Sequence, residues 1–300
     1  MKVLNFGSLN IDYVYDVEHF VKKGETISSS ALNVFPGGKG LNQSIALAKA
    51  GAEVYHAGMI GEDGKFLAEL LAEAGVNTDN ILISKEVRTG NAIIQNDSSG
   101  DNCIILFGGA NRAINRSYID KVLEKFGEGD YIILQNEISE LPYIISEADK
   151  KGMKIVLNPS PMDDIILKEA DLSLVSCFLL NEVEAKALLC NNESEPEKLM
   201  ELIVGKFPKA GVLITLGGDG SIYGKDKKII KEAAVKTDVR DTTAAGDTFT
   251  GFFVTGLLSG EDMGEVLKRA SMAASIAVSR KGAATSIPTL KEVEERLAVW

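Results

Sequence analysis

Short apolar runs alternating with helix-periodic stretches constrain this chain more than any other feature. Val3–Phe6 and residues 53–60, 131–134, 154–157 and 212–215 read as short strands. Between them, residues 42–50, 65–74, 140–151, 182–189 and 195–207 place apolar residues at helical spacing. Gly51 and Gly75 stand where a left-handed residue closes a helix. Strands that alternate with helices predict a doubly wound, mostly parallel α/β sheet flanked by helices. No linker or repeat divides the sequence, so residues 1–300 are expected to form a single α/β domain.

Two regions break the rhythm. Residues 13–17 with 29–35, and 89–95 with 103–107, look like strands without intervening helices, the second pair joined by a turn at Asp97-Ser98-Ser99-Gly100-Asp101. Insertions from about 13–36 and 88–108 are therefore expected to form a small separate β-sheet lid.

The net charge of −11 argues against nucleic acid and anionic membranes as partners. The N-terminus is too short and polar for a signal peptide, and no apolar run approaches the roughly 18 residues of a span. A cytoplasmic location is the expectation. Cys103, Cys177 and Cys190 lack metal-site spacing and read as free, small apolar packing residues. The only histidines, His19 and His56, sit in no motif; His56 falls in a strand-like run and is expected to be structural.

Chemistry concentrates in the octad Asp241-Thr242-Thr243-Ala244-Ala245-Gly246-Asp247-Thr248, which opens an apolar helical segment. Small residues there let backbone N–H groups approach a ligand, and a helix N-terminus favours phosphate. A carboxylate beside such a cradle, Asp247, suits removal of a proton from an alcohol as a phosphoryl group arrives. A small-residue turn with a capping Asp is the plainer alternative. Elsewhere, Pro36-Gly37-Gly38-Lys39-Gly40-Leu41-Asn42 links a strand to a helix and offers Lys39 and Asn42 to a polyol or phosphate, or is only a turn. Asn10 and Asp12 point to one side if extended, and fit adjacent sugar hydroxyls or a cap. Asn181 and Glu184 fit either hydrated Mg²⁺ or an N-cap pair. Thr215-Leu216-Gly217-Gly218-Asp219-Gly220 could line a nucleotide or form a hairpin turn. The segment from Ala277 to Ser286 could offer carbonyls to a monovalent cation, or simply end a helix with a cap at Gly282. The chain has no Walker loop, and Gly7-Ser8-Leu9-Asn10 is not the dinucleotide fingerprint.

Taken in this order, the motifs resemble those of the ribokinase (PfkB-type) carbohydrate kinases over essentially the whole chain. The resemblance is carried by Gly7-Ser8-Leu9-Asn10-Ile11-Asp12, Gly37-Gly38-Lys39-Gly40-Leu41-Asn42-Gln43, Leu157-Asn158-Pro159-Ser160-Pro161, Asn181-Glu182-Val183-Glu184, Ile214-Thr215-Leu216-Gly217 and the octad. It implies a ribokinase-like α/β fold with a β lid, and transfer of a phosphoryl group from ATP to a sugar hydroxyl. Asp247 matches the catalytic base, and Ala244, Ala245 and Gly246 the anion hole. Asn10, Asp12, Gly38, Lys39, Asn42 and Glu137 match sugar-binding positions. Asn181 and Glu184 match a motif tied to Mg²⁺ and phosphate, and Thr215, Gly217 and Gly220 match the nucleotide loop. Asp241, Thr243, Ala277, Arg280, Gly282 and Ser286 match positions that bind a monovalent cation such as K⁺. The resemblance also implies a homodimer paired through the lids.

Within the family, Asp12, Glu137 and Gly109-Ala110-Asn111 agree with members that phosphorylate the 5-hydroxyl of D-ribose. Thr89-Gly90 suits an unphosphorylated sugar, whereas Arg88 and Arg112 leave a phosphosugar open, and a nucleoside or another sugar remains an alternative. Asn91, Asn136 and Phe107-Gly108 depart from the family pattern and are expected to retune the sugar pocket. A non-catalytic relative should have lost the base or anion hole, and both are intact here.

Overall fold

The computed structural model describes residues 1–99 and 101–300; Gly100, within the expected 97–101 turn, lies outside the described residues. The strands are β1 (Val3–Phe6), β2 (Asn10–Asp16), β3 (Ala31–Gly37), β4 (Val54–Gly61), β5 (Asn77–Ser84), β6 (Gly90–Asn96) and β7 (Asn102–Phe107), followed by β8 (Tyr131–Gln135), β9 (Lys154–Asn158), β10 (Cys177–Asn181), β11 (Gly211–Thr215), β12 (Ser221–Lys225) and β13 (Lys228–Glu232). A nine-stranded sheet runs in the order β13-β12-β11-β10-β9-β8-β1-β4-β5. Its strands are parallel except at one end, where β12 is antiparallel to both β11 and β13.

Alternation within these strands feeds two cores, one on each face. Leu4, Phe6, Ile132 and Leu134 enter one cluster with Phe178. Their neighbours Val3, Tyr131 and Ile133 enter the other with Phe252 and Phe253. Both faces are covered by helices, so the central strands read as unbroken apolar runs rather than half-polar ones.

The second sheet is four-stranded, ordered β3-β2-β6-β7. β2 is parallel to β6 and antiparallel to β3, and β7 is antiparallel to β6. This is the small separate sheet expected from those strands, here termed the lid, with β2 starting at Asn10 rather than at residue 13. Registers Asn10↔Gly90 and Asp12↔Ala92 place the two candidate sugar ligands on one face. Asn91, paired with Ile11 and Phe107, lies on the opposite face, so its expected role in the sugar pocket is not supported.

Topology places the site. From β1 the chain proceeds through β4 to β5 on one side, then returns to build β8 to β11 on the other. The order reverses between β1 and β8, and loops diverge there beyond the carboxyl ends of the strands. Ser8 follows β1 and Glu137 follows β8 at that crevice.

Several elements depart from the expectations. The first helix begins at Lys39, earlier than residue 42. The helix after the octad spans Ala245–Ser259, so the octad itself supplies the first turn. The helix Met263–Val278 is capped at Ser279, which leaves Gly282 in a loop and rules out its reading as the C-cap. Of the three free cysteines only Cys177 packs in a core; Cys103 and Cys190 are exposed, correcting the packing role expected for them. His56 is fully buried, and desolvation pushes its pKa down to about 3, which keeps the imidazole neutral. Among the described residues no helix is long and apolar enough to cross a membrane.

Candidate active site

Asp247 lies in the first turn of the helix Ala245–Ser259 and is 8% exposed. That helix packs closely on Lys39–Lys49. A side chain at Gly251 would collide with Ala46, so glycine sets the approach. The approach brings two amides to one carboxylate. Asn42 Nδ2 donates to Asp247 Oδ2 at 3.1 Å, and Gln43 Nε2 donates to Oδ1 at 2.9 Å. Asn42 Oδ1 is buried without a hydrogen-bond partner, an acceptor left over for a ligand hydroxyl.

The helix N-terminus beneath Asp247 is open. Ala244 adopts left-handed φ/ψ of 61° and 9°, unusual for a residue with a Cβ. Among the described residues the Gly246 and Asp247 N–H groups find no backbone acceptor, whereas Ala245 N–H turns back to Thr242 O at 3.2 Å. Two of the free donors expected at a helix start therefore face the site, with the positive end of the helix dipole behind them. A Cβ at Gly246 would meet nothing within 4 Å, because the residue borders open space.

That space is a cavity of about 210 Å³ lined by Lys39, Asn181, Glu184, Thr215, Ala244 and Asp247, among others. Lys39 is held in its charged form: Asp247 is the largest cause raising its pKa, desolvation opposes it, and Glu137 and Glu184 add to the rise. Asn181 and Glu184 form a capping box. Glu184 N–H donates to Asn181 Oδ1 at 2.8 Å, and Asn181 N–H donates to Glu184 Oε2 at 3.0 Å. The capping reading is the one these bonds show; the box occupies the only side-chain oxygen of Asn181 and one of the two of Glu184, and both residues border the cavity. Thr215 ends β11 on the same cavity, and Gly217 and Gly220 follow in the turn to β12 with φ of 57° and 106°. The nucleotide-loop candidates thus form the connection of an antiparallel pair.

A second cluster of polar groups sits where the lid meets the large sheet. Asn111 Nδ2 donates to Asn10 Oδ1 at 2.8 Å, which leaves the Asn10 amide N–H₂ for other partners. Glu137 Oε2 accepts from Ser8 Oγ and from Lys39 N–H at 3.1 Å. Asp12 lies over Gly37, where any Cβ would collide with its carboxylate. Burial, then repulsion from Glu137, raises the Asp12 pKa from 3.8 to about 6. Gly38, at φ 97°, puts its Cα so close to Ser8 O that an added Cβ would lie 2.9 Å away.

The two arginines that could have gripped a second phosphate are engaged elsewhere. Arg88 Nε donates to Asp63 Oδ2 at 3.0 Å, and Arg112 Nη1 to Ile138 O at 3.3 Å. Asn136 likewise turns away, donating to Pro161 O at 2.7 Å.

The candidate cation segments meet behind the octad. Asp241 accepts from Thr243 N–H and from Gly282 N–H, each at 2.9 Å, and these bonds help hold its pKa low against a desolvation penalty. Arg240 and Asp241 N–H donate to Val278 O. Ala277 O accepts from Arg280 N–H at 3.0 Å, and the Arg280 side chain pairs with Glu292 at 2.7 Å. Ser286 is buried, with Oγ donating to Ala283 O.

Residues not singled out as ligands also build the site: Gln43 on the base, Asn111 on Asn10, Ser8 on Glu137. Gln43 and Asn111 were adjacent to or within quoted motifs, but only contacts across the fold reveal what they hold.

The sequence model of the pfkB family carbohydrate kinases matches residues 1–290. Ribokinase of Haemophilus influenzae is 37% identical over 300 residues, covering 97% of this chain and 96% of that one. The crystal structure of ribokinase from Cryptococcus neoformans in complex with ADP superposes with a TM-score of 0.85 at 34% identity, covering 98% of this chain and 99% of that one. The structure of Arabidopsis thaliana ribokinase complexed with ribose and ATP gives 0.86 at 30% identity, covering 98% of each. The chain belongs to the pfkB family of carbohydrate kinases and is a phosphotransferase that acts on an alcohol group.

Proposed function

We propose that this protein is a ribokinase that transfers the γ-phosphoryl group of ATP to the 5-hydroxyl of D-ribose. One observation carries the reading: a buried carboxylate, Asp247, stands at a helix N-terminus with unpaired N–H groups, between a polar lid cluster and a cavity suited to phosphate. Relatives whose structures hold ribose with ATP, and ADP, support the choice of substrates.

In this reading Asn10, Asp12, Gly38, Lys39, Asn42 and Glu137 bind the sugar. Asp12 and the free oxygen of Glu137 accept from its hydroxyls, and the Asn10 amide donates. The orphan Asn42 Oδ1 accepts a hydrogen bond from one further hydroxyl. Asp247 accepts the proton of the 5-hydroxyl as the oxygen attacks phosphorus, and the ADP oxygen leaves in line. Ala244, Ala245 and Gly246 form the anion hole, the Gly246 N–H serving most directly because Ala245 N–H already has an acceptor. Lys39 stays charged beside the transferring group. Thr215, Gly217 and Gly220 line the nucleotide.

The Asn181 amide N–H₂ stays free to donate to a phosphate oxygen, while Glu184 fits hydrated Mg²⁺, since its second carboxylate oxygen is left over by the capping box and hard oxygen donors suit that ion. Bound there, it would neutralise charge on the phosphates. The oxygens of Asp241, Thr243, Ala277, Arg280, Gly282 and Ser286 suit a monovalent cation such as K⁺. Asp241 already ties the octad to the loop at Gly282, so cation binding there would stiffen the loop that precedes the anion hole.

The lid supports pairing of two copies. Phe35, Ile104 and Leu106 are exposed on the face that carries Asp12, as register pairs Asp12↔Phe35 and Ala92↔Leu106 require. A second lid laid on this face would bury them and shield the sugar. A Leu106→Glu variant should sediment as a monomer if so, and an unchanged mass would remove this arrangement. The cytoplasm, where ATP is available, is the proposed location.

The test of substrate is ATP-dependent ADP release with ribose, fructose 6-phosphate, adenosine and 2-keto-3-deoxygluconate, each with K⁺ or Na⁺. Preference for ribose with K⁺ stimulation is expected. Preference for fructose 6-phosphate would overturn the sugar assignment, which the tethering of Arg88 and Arg112 argues against.

A further inference from the structure

Behind the candidate base runs a chain of fully buried polar side chains that sugar and nucleotide do not need to touch. Asn5, Gln43, Ser44, His56 and Gln135 are each 0% exposed. Gln43 Nε2 donates to Asp247 Oδ1 at 2.9 Å and to Asn158 Oδ1 at 3.1 Å, so both its hydrogens are used. Gln43 Oε1 accepts from Gln135 Nε2 at 2.7 Å, and Gln135 Nε2 also reaches Asn5 Oδ1 at 3.0 Å. Asn5 Nδ2 donates to Gly40 O at 2.9 Å and Ser44 Oγ at 2.8 Å. Ser44 Oγ then meets His56 Nδ1 at 2.8 Å.

The direction of the amide bonds from Asp247 to Ser44 is determined by the groups they join. An ionised carboxylate only accepts, so Gln43 must turn its N–H₂ to Asp247 and its oxygen to Gln135. Asn5 must then accept from Gln135 through Oδ1 and donate through Nδ2. Ser44 accepts from Asn5, and its hydroxyl meets Nδ1 of an imidazole that burial keeps neutral. Flipping any one amide would set two donors or two acceptors face to face among fully buried side chains. Asn158 closes the remaining freedom, because its Nδ2 is committed to Leu179 O at 2.9 Å.

We infer that Gln43 is a positioning residue for phosphoryl transfer: its amide, locked in orientation by Gln135 and Asn158, fixes the Asp247 carboxylate in the plane from which it receives the hydroxyl proton. The inference rests on Asp247 being the base. Asn42 secures the other carboxylate oxygen, but its own oxygen has no protein partner. Gln43 is the arm with no such freedom, since both ends of its amide are held by protein groups.

The experiment is a double-mutant cycle on kcat. Gln43→Met keeps the length and volume of the side chain while deleting both ends of the amide. It should lower kcat about 10- to 100-fold, the scale expected when a reacting group is misplaced by about an ångström, and leave KM for ribose and ATP within about twofold. In an Asp247→Asn background the same substitution should cost no further rate, because a group that acts through Asp247 has nothing left to position. A second variant, Gln135→Met, spares the contact with Asp247 but frees the Gln43 amide to turn. It should lose less kcat than Gln43→Met, and it substitutes for that variant if Gln43→Met does not fold, as judged by thermal unfolding. An unchanged kcat in the folded variants, a rise in KM alone, or an equal loss with and without Asp247 would overturn the inference. An active Asp247→Asn enzyme would instead overturn the role of the base itself, so the two failures are distinguishable.

Discussion

Replacing Asp12 by Asn should make the sugar-free protein more stable and a worse enzyme. Burial and the facing Glu137 raise the Asp12 pKa from 3.8 to about 6, and among the described residues no side-chain donor compensates its carboxylate. A carboxyl whose pKa is raised on folding stabilises the fold while protonated, below its unfolded value near 4, and that contribution is lost as pH rises through about 6. Roughly two pKa units at about 1.4 kcal/mol each give a ceiling of about 3 kcal/mol at pH 8. Asp12 retains some solvent contact, so about 1–2 kcal/mol is the working figure. Asn cannot ionise and should escape this penalty. Urea unfolding of both proteins without sugar, at pH 8, 6 and 4, should therefore show the variant's advantage at pH 8 shrinking steadily toward pH 4. A difference that does not change with pH, or one that grows on acidification, would refute the argument that desolvation and Glu137 strain this carboxylate. On the proposed role of Asp12 as a ribose ligand, the same titration predicts that KM for ribose rises below about pH 6, as the carboxylate loses the charge proposed to accept sugar hydroxyls.

Asp247→Asn should lose about 10²–10⁴-fold in kcat, the usual contribution of a general base, and near-wild-type turnover would remove Asp247 from that role. Gly90→Ala puts a methyl into Asn111 Nδ2 and Asn10 Oδ1; KM for the sugar should rise about tenfold, the loss of one hydrogen bond, with ATP affinity untouched, and parallel changes in both would point to general misfolding. The Glu292 pKa is lowered from 4.5 to about 2, chiefly by the Thr289 backbone N–H and then by Arg280. Its stabilisation is present above pH 4.5 and lost as pH falls through 2; because the pair is exposed, Glu292→Gln should cost under about 1 kcal/mol at neutral pH in thermal unfolding, with a larger cost marking a tighter bond than the exposure allows.

How much was legible beforehand depended on how local each signal was. β1, β4, β9 and β11 announced themselves because strands buried on both faces are runs of apolar residues. β12 and β13 did not. Their hairpin turns through Asp226 and Lys227, both at positive φ, where an Asn-Gly pair would have been recognisable. The motif glycines were legible in kind and mattered for packing as much as for ligands: Gly37, Gly38 and Gly90 each clear room for a particular neighbour. The capping box at Asn181 and Glu184 could be read from spacing alone, since its partners are three residues apart. The supports of Asp247 could not. Gln43 and Asp247 are separated by 204 residues, and Asn10 and Asn111 by 101, so nothing local distinguishes these amides from surface ones. The exposed Cys103 and Cys190 illustrate the converse error, in which residue type suggested burial that position denied.

The separation between Gln43 and Asp247 has a consequence for synthesis. The lid and the polar cluster at Asn10 and Glu137 are encoded in the first half of the chain, whereas the octad arrives after residue 240. A nascent chain emerging from the ribosome thus carries the residues proposed to bind sugar well before the proposed base and anion hole. On that reading, products truncated before the octad would lack the groups that transfer the phosphoryl group.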